Sequence, residues 1–132
     1  MEELKGVRVG FAMCGSFCTF SDCFAALERL LSLGCTVVPV MSFNAYETDT
    51  RFGNAAEHRE RLAAMCGRDV IHTIADAEPI GPMDMTDVML VANCTGNTLA
   101  KLAASITDTT VIVQRNPVLY LLAGSKPIKL RF

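Results

Sequence analysis

No run of the 132-residue sequence approaches the roughly 20 consecutive apolar residues that a membrane-spanning helix needs. Basic charge is not in excess either. Twelve Lys and Arg against 14 Asp and Glu leave a net charge of −2, which gives no electrostatic footprint for nucleic acid or an acidic membrane surface. The N-terminal MEELKG is short and acidic, unlike the basic and apolar lead of a secretory signal, so a cytoplasmic protein is expected. Without export, the six cysteines have no support as a disulfide framework. No C-x-x-C pair occurs: Cys14, Cys18 and Cys23 are separated by three and four residues, while Cys35, Cys66 and Cys94 stand alone. Neither His58 nor His72 has a ligand partner at a familiar interval, so no metal site is expected and the thiols read as small buried hydrophobes. The dinucleotide fingerprint G-x-G-x-x-G and the triphosphate fingerprint G-x-x-x-x-G-K-[ST] are both absent. So are internal repeats, low-complexity tracts and linkers, which leaves a single domain over 1–132.

What remains is a regular alternation of strand and helix patterns. VRVGFAM (7–13) is an apolar β run. After the small-residue loop CGSFCTFSD, the segment CFAALERLLSLG places Phe24, Leu27, Leu30 and Leu31 at helical spacing and stops on Gly34, with Ser21 or Asp22 as N-cap. CTVVPVM is the next strand. SFNAYETDTRFG reads as a loop, and NAAEHRERLAAMCG as a helix capped by Asn54 and ended by Gly67. DVIHTI is assigned as a short strand, ADAEPIGPMDM as an irregular connection, and DVMLVAN as a buried strand. A helix follows, with Leu99, Leu102, Ala103 and Ile106 on one face, and TTVIVQ and PVLYLLA read as further strands. Apolar strands alternating with helices predict an α/β fold: a three-layer, open parallel sheet of the flavodoxin or Rossmann-like kind.

Such sheets bind ligands at the carboxyl ends of their strands, near a topological switch. Three loops rich in small polar residues fall on that edge: Cys14–Asp22, Ser42–Gly53 and Asn93–Thr98. Gly15 lets a backbone approach an anion and Ser16 adds a hydroxyl. Ser42 follows the second strand directly. Thr95, Gly96, Asn97 and Thr98 form a third cradle, or equally a helix cap. Ser16, Ser42 and Asn97 are expected to face one shared hollow. Cys14 and Cys18 stand near a helix N-terminus, which could lower a thiol pKa, although packing explains them better. Arg51, beside Asp49 in the middle loop, suits a substrate carboxylate or a solvated surface pair. His58 and His72 have no nucleophile beside them in sequence and read as structural, so no catalytic residue is named.

Four stretches carry a resemblance: LKGVRVGFAMCGSFCTF, VVPVMSFNAYETDTRFG, AEPIGPMD and TGNTLAKLAASITD. In this order, from about Leu4 to Val111, the sequence resembles the family of dipicolinate synthase B subunits of spore-forming bacteria. More widely it is similar to the flavoprotein superfamily of cysteine decarboxylases and flavin prenyltransferases. There a Gly-Ser loop, a hydroxyl after the second strand and an Asn-Thr turn surround flavin mononucleotide (FMN). By position the resemblance implies Gly15, Ser16, Ser42, Thr95, Gly96, Asn97 and Thr98 as the flavin-binding set, with Arg51 toward substrate. It implies a sporulation role in the mother-cell cytoplasm: the NADP-linked oxidation of dihydrodipicolinate to dipicolinate. NADP would be bound by a partner A subunit, and a homo-oligomer is expected. The alternatives are a non-catalytic module holding flavin or another phosphate ligand, and a flavin-dependent decarboxylase. No residue of Ser42–His58 aligns with the decarboxylases' catalytic histidine, and NCTGN replaces their Pro-Ala-Ser-Ala-Asn turn. Beyond Val111 the sequence departs from the family, and a shortened C-terminal part is expected, with an exposed strand edge that favours association.

Overall fold

A computed structural model of the chain describes residues 4–80, 82–93, 95, 98, 100, 101, 104, 118–123 and 126–131. Strand β1 (Arg8–Met13) leads through a 3₁₀ turn (Phe17–Thr19) into helix α1 (Phe20–Ser32) and then strand β2 (Thr36–Met41). Two helices follow, α2 (Phe43–Glu47) and α3 (Ala55–Cys66), then a one-turn helix α4 (Ile74–Ala77) and a second 3₁₀ turn (Glu78–Ile80). Strands β3 (Val88–Val91), β4 (Val118–Ala123) and β5 (Lys126–Arg131) complete the order. They form one sheet, β2-β1-β3-β4-β5, parallel from β2 to β4. Strand β5 pairs antiparallel with β4 and has no counterpart among the strands expected from the sequence. The expected strand TTVIVQ lies outside the described residues, as does most of the helix expected after β3.

Alternation along the strands builds two cores. Val9, Phe11 and Met13 of β1 point to the face covered by Phe20, Cys23, Phe24 and Leu27 of α1 and Leu62 of α3. Those four α1 residues sit at i, i+3, i+4 and i+7, the apolar stripe of an amphipathic helix. Ala12, Val38, Val40, Met89 and Val91 face the other way, against Ala77 and Ile80. The sheet is therefore the middle of three layers. At Gly10 a Cβ would lie 1.9 Å from the Met89 sulfur, so β1 and β3 pack with no room for a side chain there.

Several local expectations are met and three are corrected. SFNAYETDTRFG, expected as a loop throughout, holds α2, because Ser42 caps a helical turn there. Asn54 caps α3 by accepting from Ala56 N, and Gly67 ends it at φ 71°; Gly34 takes φ +89° after α1. Helix α1, however, starts at Phe20 behind Thr19, not at Ser21 or Asp22. The 3₁₀ turn runs straight into the helix, and the Thr19 hydroxyl donates to Ser16 O (2.7 Å) instead of capping. DVIHTI is not a strand. Ile71 alone bridges Val40, with Ile71 N donating to Pro39 O and Met41 N to Ile71 O (both 2.9 Å). Pro39 has no N–H with which to extend that ladder.

Candidate functional site

The order β2-β1-β3 puts the topological switch between β1 and β3, and the loops leaving these strands open on the same edge. One buried side chain holds two of them together. Asn93, just after β3, accepts from Cys14 N through Oδ1 (2.6 Å) and donates through Nδ2 to Cys14 O (3.0 Å) and Ser16 O (3.2 Å). Ala92 N donates to Ala12 O (2.8 Å) and continues the strand pairing into this clamp. The bonds span 77 to 79 residues of sequence, so no motif spacing points to Asn93. Its one local signal is a polar residue directly behind an apolar strand. The middle loop joins through Ser42 N, which donates to Met13 O (3.0 Å).

Ser16 is fixed by its carbonyl, which accepts from Asn93, Thr19 N and the Thr19 hydroxyl. Its own hydroxyl makes no cap bond, and among the described residues it has no hydrogen-bond partner. The N–H groups at the start of the 3₁₀ turn, Phe17 and Cys18, have no intrahelical acceptor by position. Gly15 packs beside the middle loop: a Cβ there would lie 3.4 Å from Asn44 Cβ, an ordinary contact. The first loop thus presents a hydroxyl and leading N–H groups over a bare backbone, a donor set suited to an anion.

The third loop is more committed. The Thr95 hydroxyl accepts from Thr98 N (3.2 Å) and bonds the Thr98 hydroxyl (3.0 Å), which donates to Cys14 Sγ (3.5 Å). Thr98 is buried. Both threonines therefore hold a helix start and a thiol together. Gly96 and Asn97 lie outside the described residues. Burial pushes the Cys14 thiol up despite the Thr98 and Thr95 contacts, which agrees with the packing role preferred from the sequence over a lowered pKa. Burial also raises Cys35 and takes Cys23 and Cys66 to about 11, so these four thiols are protonated packing groups. Among the described residues no group of His, Cys, Asp and Glu is arranged to hold a metal ion.

Ser42, expected to face a ligand, serves as N-cap of α2, where its hydroxyl accepts from Ala45 N (3.3 Å). Asp49 accepts from Ala55 N (2.8 Å) and so belongs to the start of α3 rather than to a substrate. Arg51 is exposed, its guanidinium 4.9 Å from the Phe52 ring centroid, at the tip of a turn closed by Thr50 and Gly53. His72 stacks on Tyr46 at 3.7 Å, and Arg59 lies over the same Tyr46 ring at 4.7 Å. That stack accounts for His72 as structural.

His58 is placed differently. It lies edge-on to Phe20 (4.8 Å) and parallel to Phe24 (6.1 Å) and lines a cavity of about 140 Å³. Phe17, Phe52 and Arg61 are further walls of this cavity, and Phe17 also adjoins the first loop.

The family model described as Flavoprotein matches residues 1–125. The chain belongs to the flavoprotein family. It is 42% identical over 113 residues to the B subunit of dipicolinate synthase from Bacillus subtilis (strain 168), covering 86% of this chain and 56% of that protein. The chain thus spans just over half the length of this curated relative. Among solved structures it is similar to the dipicolinate synthase B subunit from Bacillus halodurans, with a TM-score of 0.73 and 30% identity over 92% of this chain and 67% of that one. It also superposes on Burkholderia xenovorans DmrB, solved in complex with FMN, with a TM-score of 0.63 over 95% of this chain and 76% of that one. At 20% identity that second likeness speaks for the fold. Among the described residues no helix is long and apolar enough to cross a membrane.

Proposed function

We propose that this flavoprotein is a B-type subunit of dipicolinate synthase. In this reading it holds FMN by its phosphate at the Gly15–Ser16 turn and works with an A subunit that binds NADP. The shared reaction is the oxidation of dihydrodipicolinate to dipicolinate during sporulation, in the mother-cell cytoplasm, by a homo-oligomer of this chain with its partner. The observation that carries the reading is the Asn93 clamp. It fixes the first loop at the switch point with the Ser16 hydroxyl uncommitted among the described residues and the leading N–H groups of a helical turn beside it. These groups fit a phosphate, and Gly15 brings no side chain of its own to the loop. Ser42 keeps its hydroxyl proton while capping α2, so it can still donate to the same ligand. Thr95 and Thr98 act from the third loop, chiefly by fixing the helix start and the Cys14 thiol; Gly96 and Asn97 complete the set. Bound flavin supplies two-electron redox chemistry. The chain's own residues bind and orient it, and Arg51 is available to a substrate carboxylate.

Co-expression with an A subunit, followed by an NADP-coupled assay for dipicolinate, tests the role. A rate above that of the A subunit alone supports it; no gain refutes an enzymatic part for this chain. A second reading, a non-catalytic module that only holds flavin, is favoured by one observation: the Cys14 thiol, held at the junction of the first and third loops, is buried and pushed toward its protonated form. Release of yellow flavin on denaturation, with no gain in the coupled assay, would select it.

A further inference from the structure

The cavity between α1 and α3 is separate from the Asn93 clamp but shares Phe17 with the first loop, and holding a flavin phosphate gives it no role. We propose that it takes the ring of a planar aromatic carboxylate, with the carboxylate held at the mouth by Arg61. For the choice of ligand this deepens the dipicolinate synthase reading and rests on it.

The size fits a single ring. The cavity measures about 140 Å³, and an apolar cavity of about 150 Å³ is known to admit one benzene. It suits one six-membered ring, not the three fused rings of a flavin. The walls fit as well. Phe17, Phe20, Phe24 and Phe52 surround it, with Phe17 and Phe20 centroids 5.2 Å apart and tilted by 39°. Rings in offset or edge-on contact favour a planar aromatic guest over a saturated one. Phe52 is 46% exposed and so forms a wall open to solvent.

Charge points the same way. The Arg61 guanidinium lies 4.2 Å from the Phe24 centroid, and among the described residues it has no carboxylate partner. Its planar fork matches a carboxylate in two parallel hydrogen bonds. A polar atom is also left over. His58 Nε2 is buried with no hydrogen-bond partner among the described residues. Buried polar groups are rarely left so, and a ring nitrogen or carboxylate oxygen entering the cavity supplies the missing partner. Gly53 keeps that nitrogen uncrowded: a Cβ at this position, at φ +141°, would stand 2.4 Å from it. The Thr-Arg-Phe-Gly turn therefore contributes Phe52 as a wall and Gly53 as clearance.

Dipicolinate, benzoate and cyclohexanecarboxylate, titrated into the full chain and followed by amide chemical shifts, test the assignment, with FMN titrated in parallel. Expected are shifts at Phe52, His58 and Arg61 with dipicolinate and benzoate, weaker binding of the saturated acid, and at least a tenfold loss in Arg61→Gln. Phe52→Ser should lose affinity similarly, and FMN binding should be unchanged in both variants. FMN binding without dipicolinate or benzoate binding would overturn the cavity assignment and leave the flavin reading intact. The converse would refute the flavin reading and keep the cavity. Aromatic-acid binding unaltered by Arg61→Gln, or displaced by FMN, would also overturn the assignment.

Discussion

The junction of the first and third loops and the middle loop lie on the same rim but are held in different ways. At the junction three hydrogen bonds come from one side chain, Asn93, and with Ala92 N to Ala12 O and the Thr98 hydroxyl to Cys14 Sγ they reach segments 77 to 84 residues away. In the middle loop, beyond the ties of Ser42 N to Met13 O and Arg59 to Tyr46 O, the bonds are local: Ser42 to Ala45, Thr50 to Gly53, Asp49 to Ala55 and Asn54 to Ala56. Fragility should therefore be concentrated at the junction. A loop made of short-range caps loses one turn when one bond goes. A junction held chiefly by one buried amide loses three bonds at once and leaves Cys14 N, a buried donor, without its acceptor.

Four substitutions grade that contrast. Asn93→Ala removes one acceptor and two donations and leaves Cys14 N buried without a partner, so a loss of about 3 kcal/mol is expected in urea unfolding. Flavin binding should fall with it. Gly53→Ala places a methyl against His58 at an unfavourable φ, and should cost about 2 kcal/mol by the same measurement. Asn54→Ala removes a single helix cap and should cost about 1 kcal/mol. If Asn93→Ala proves no more damaging than Asn54→Ala, the distinction between the two regions fails.

The smallest effect lies at the opposite end of the sheet and serves as a control. The Arg8 guanidinium and backbone N–H bond to Asp87 and hold its carboxyl below the usual value. A lowered carboxylate pKa contributes stability that is present above the unfolded value, about pH 4, and lost as pH falls through the folded one. Urea midpoints for wild type should therefore drop on acidification in that range, and Asp87→Asn should flatten part of the drop without changing flavin binding at neutral pH. An acid profile identical in Asp87→Asn and wild type would show that this pair carries none of the pH dependence.

The difference between local and distant bonds also decides what is legible in the sequence. The β–α alternation, the cap at Asn54 and the stops at Gly34 and Gly67 are local rules, and each reappears in the structure. The antiparallel β5 is not legible, because KPIKLR carries a proline and charges that suit an edge strand no better than a loop. DVIHTI reads as a strand by its β-branched residues, yet the proline across from it limits the pairing to Ile71. At the rim, Ser16 and Ser42 stand out by their places after β1 and β2, but that placement does not report that the Ser42 hydroxyl also caps α2. Asn93 and the cavity around His58 arise only from tertiary contact between distant segments, which no spacing rule reports.

The flavin reading stands or falls on whether the clamped first loop grips the cofactor by its phosphate. FMN and riboflavin differ in that phosphate alone, so fluorescence titration of the two side by side, in wild type and in Ser16→Ala, isolates its share of the binding. Wild type should bind FMN at least tenfold more tightly than riboflavin, and Ser16→Ala should narrow the gap. Equal affinity of wild type for the two flavins would contradict a phosphate grip at this loop.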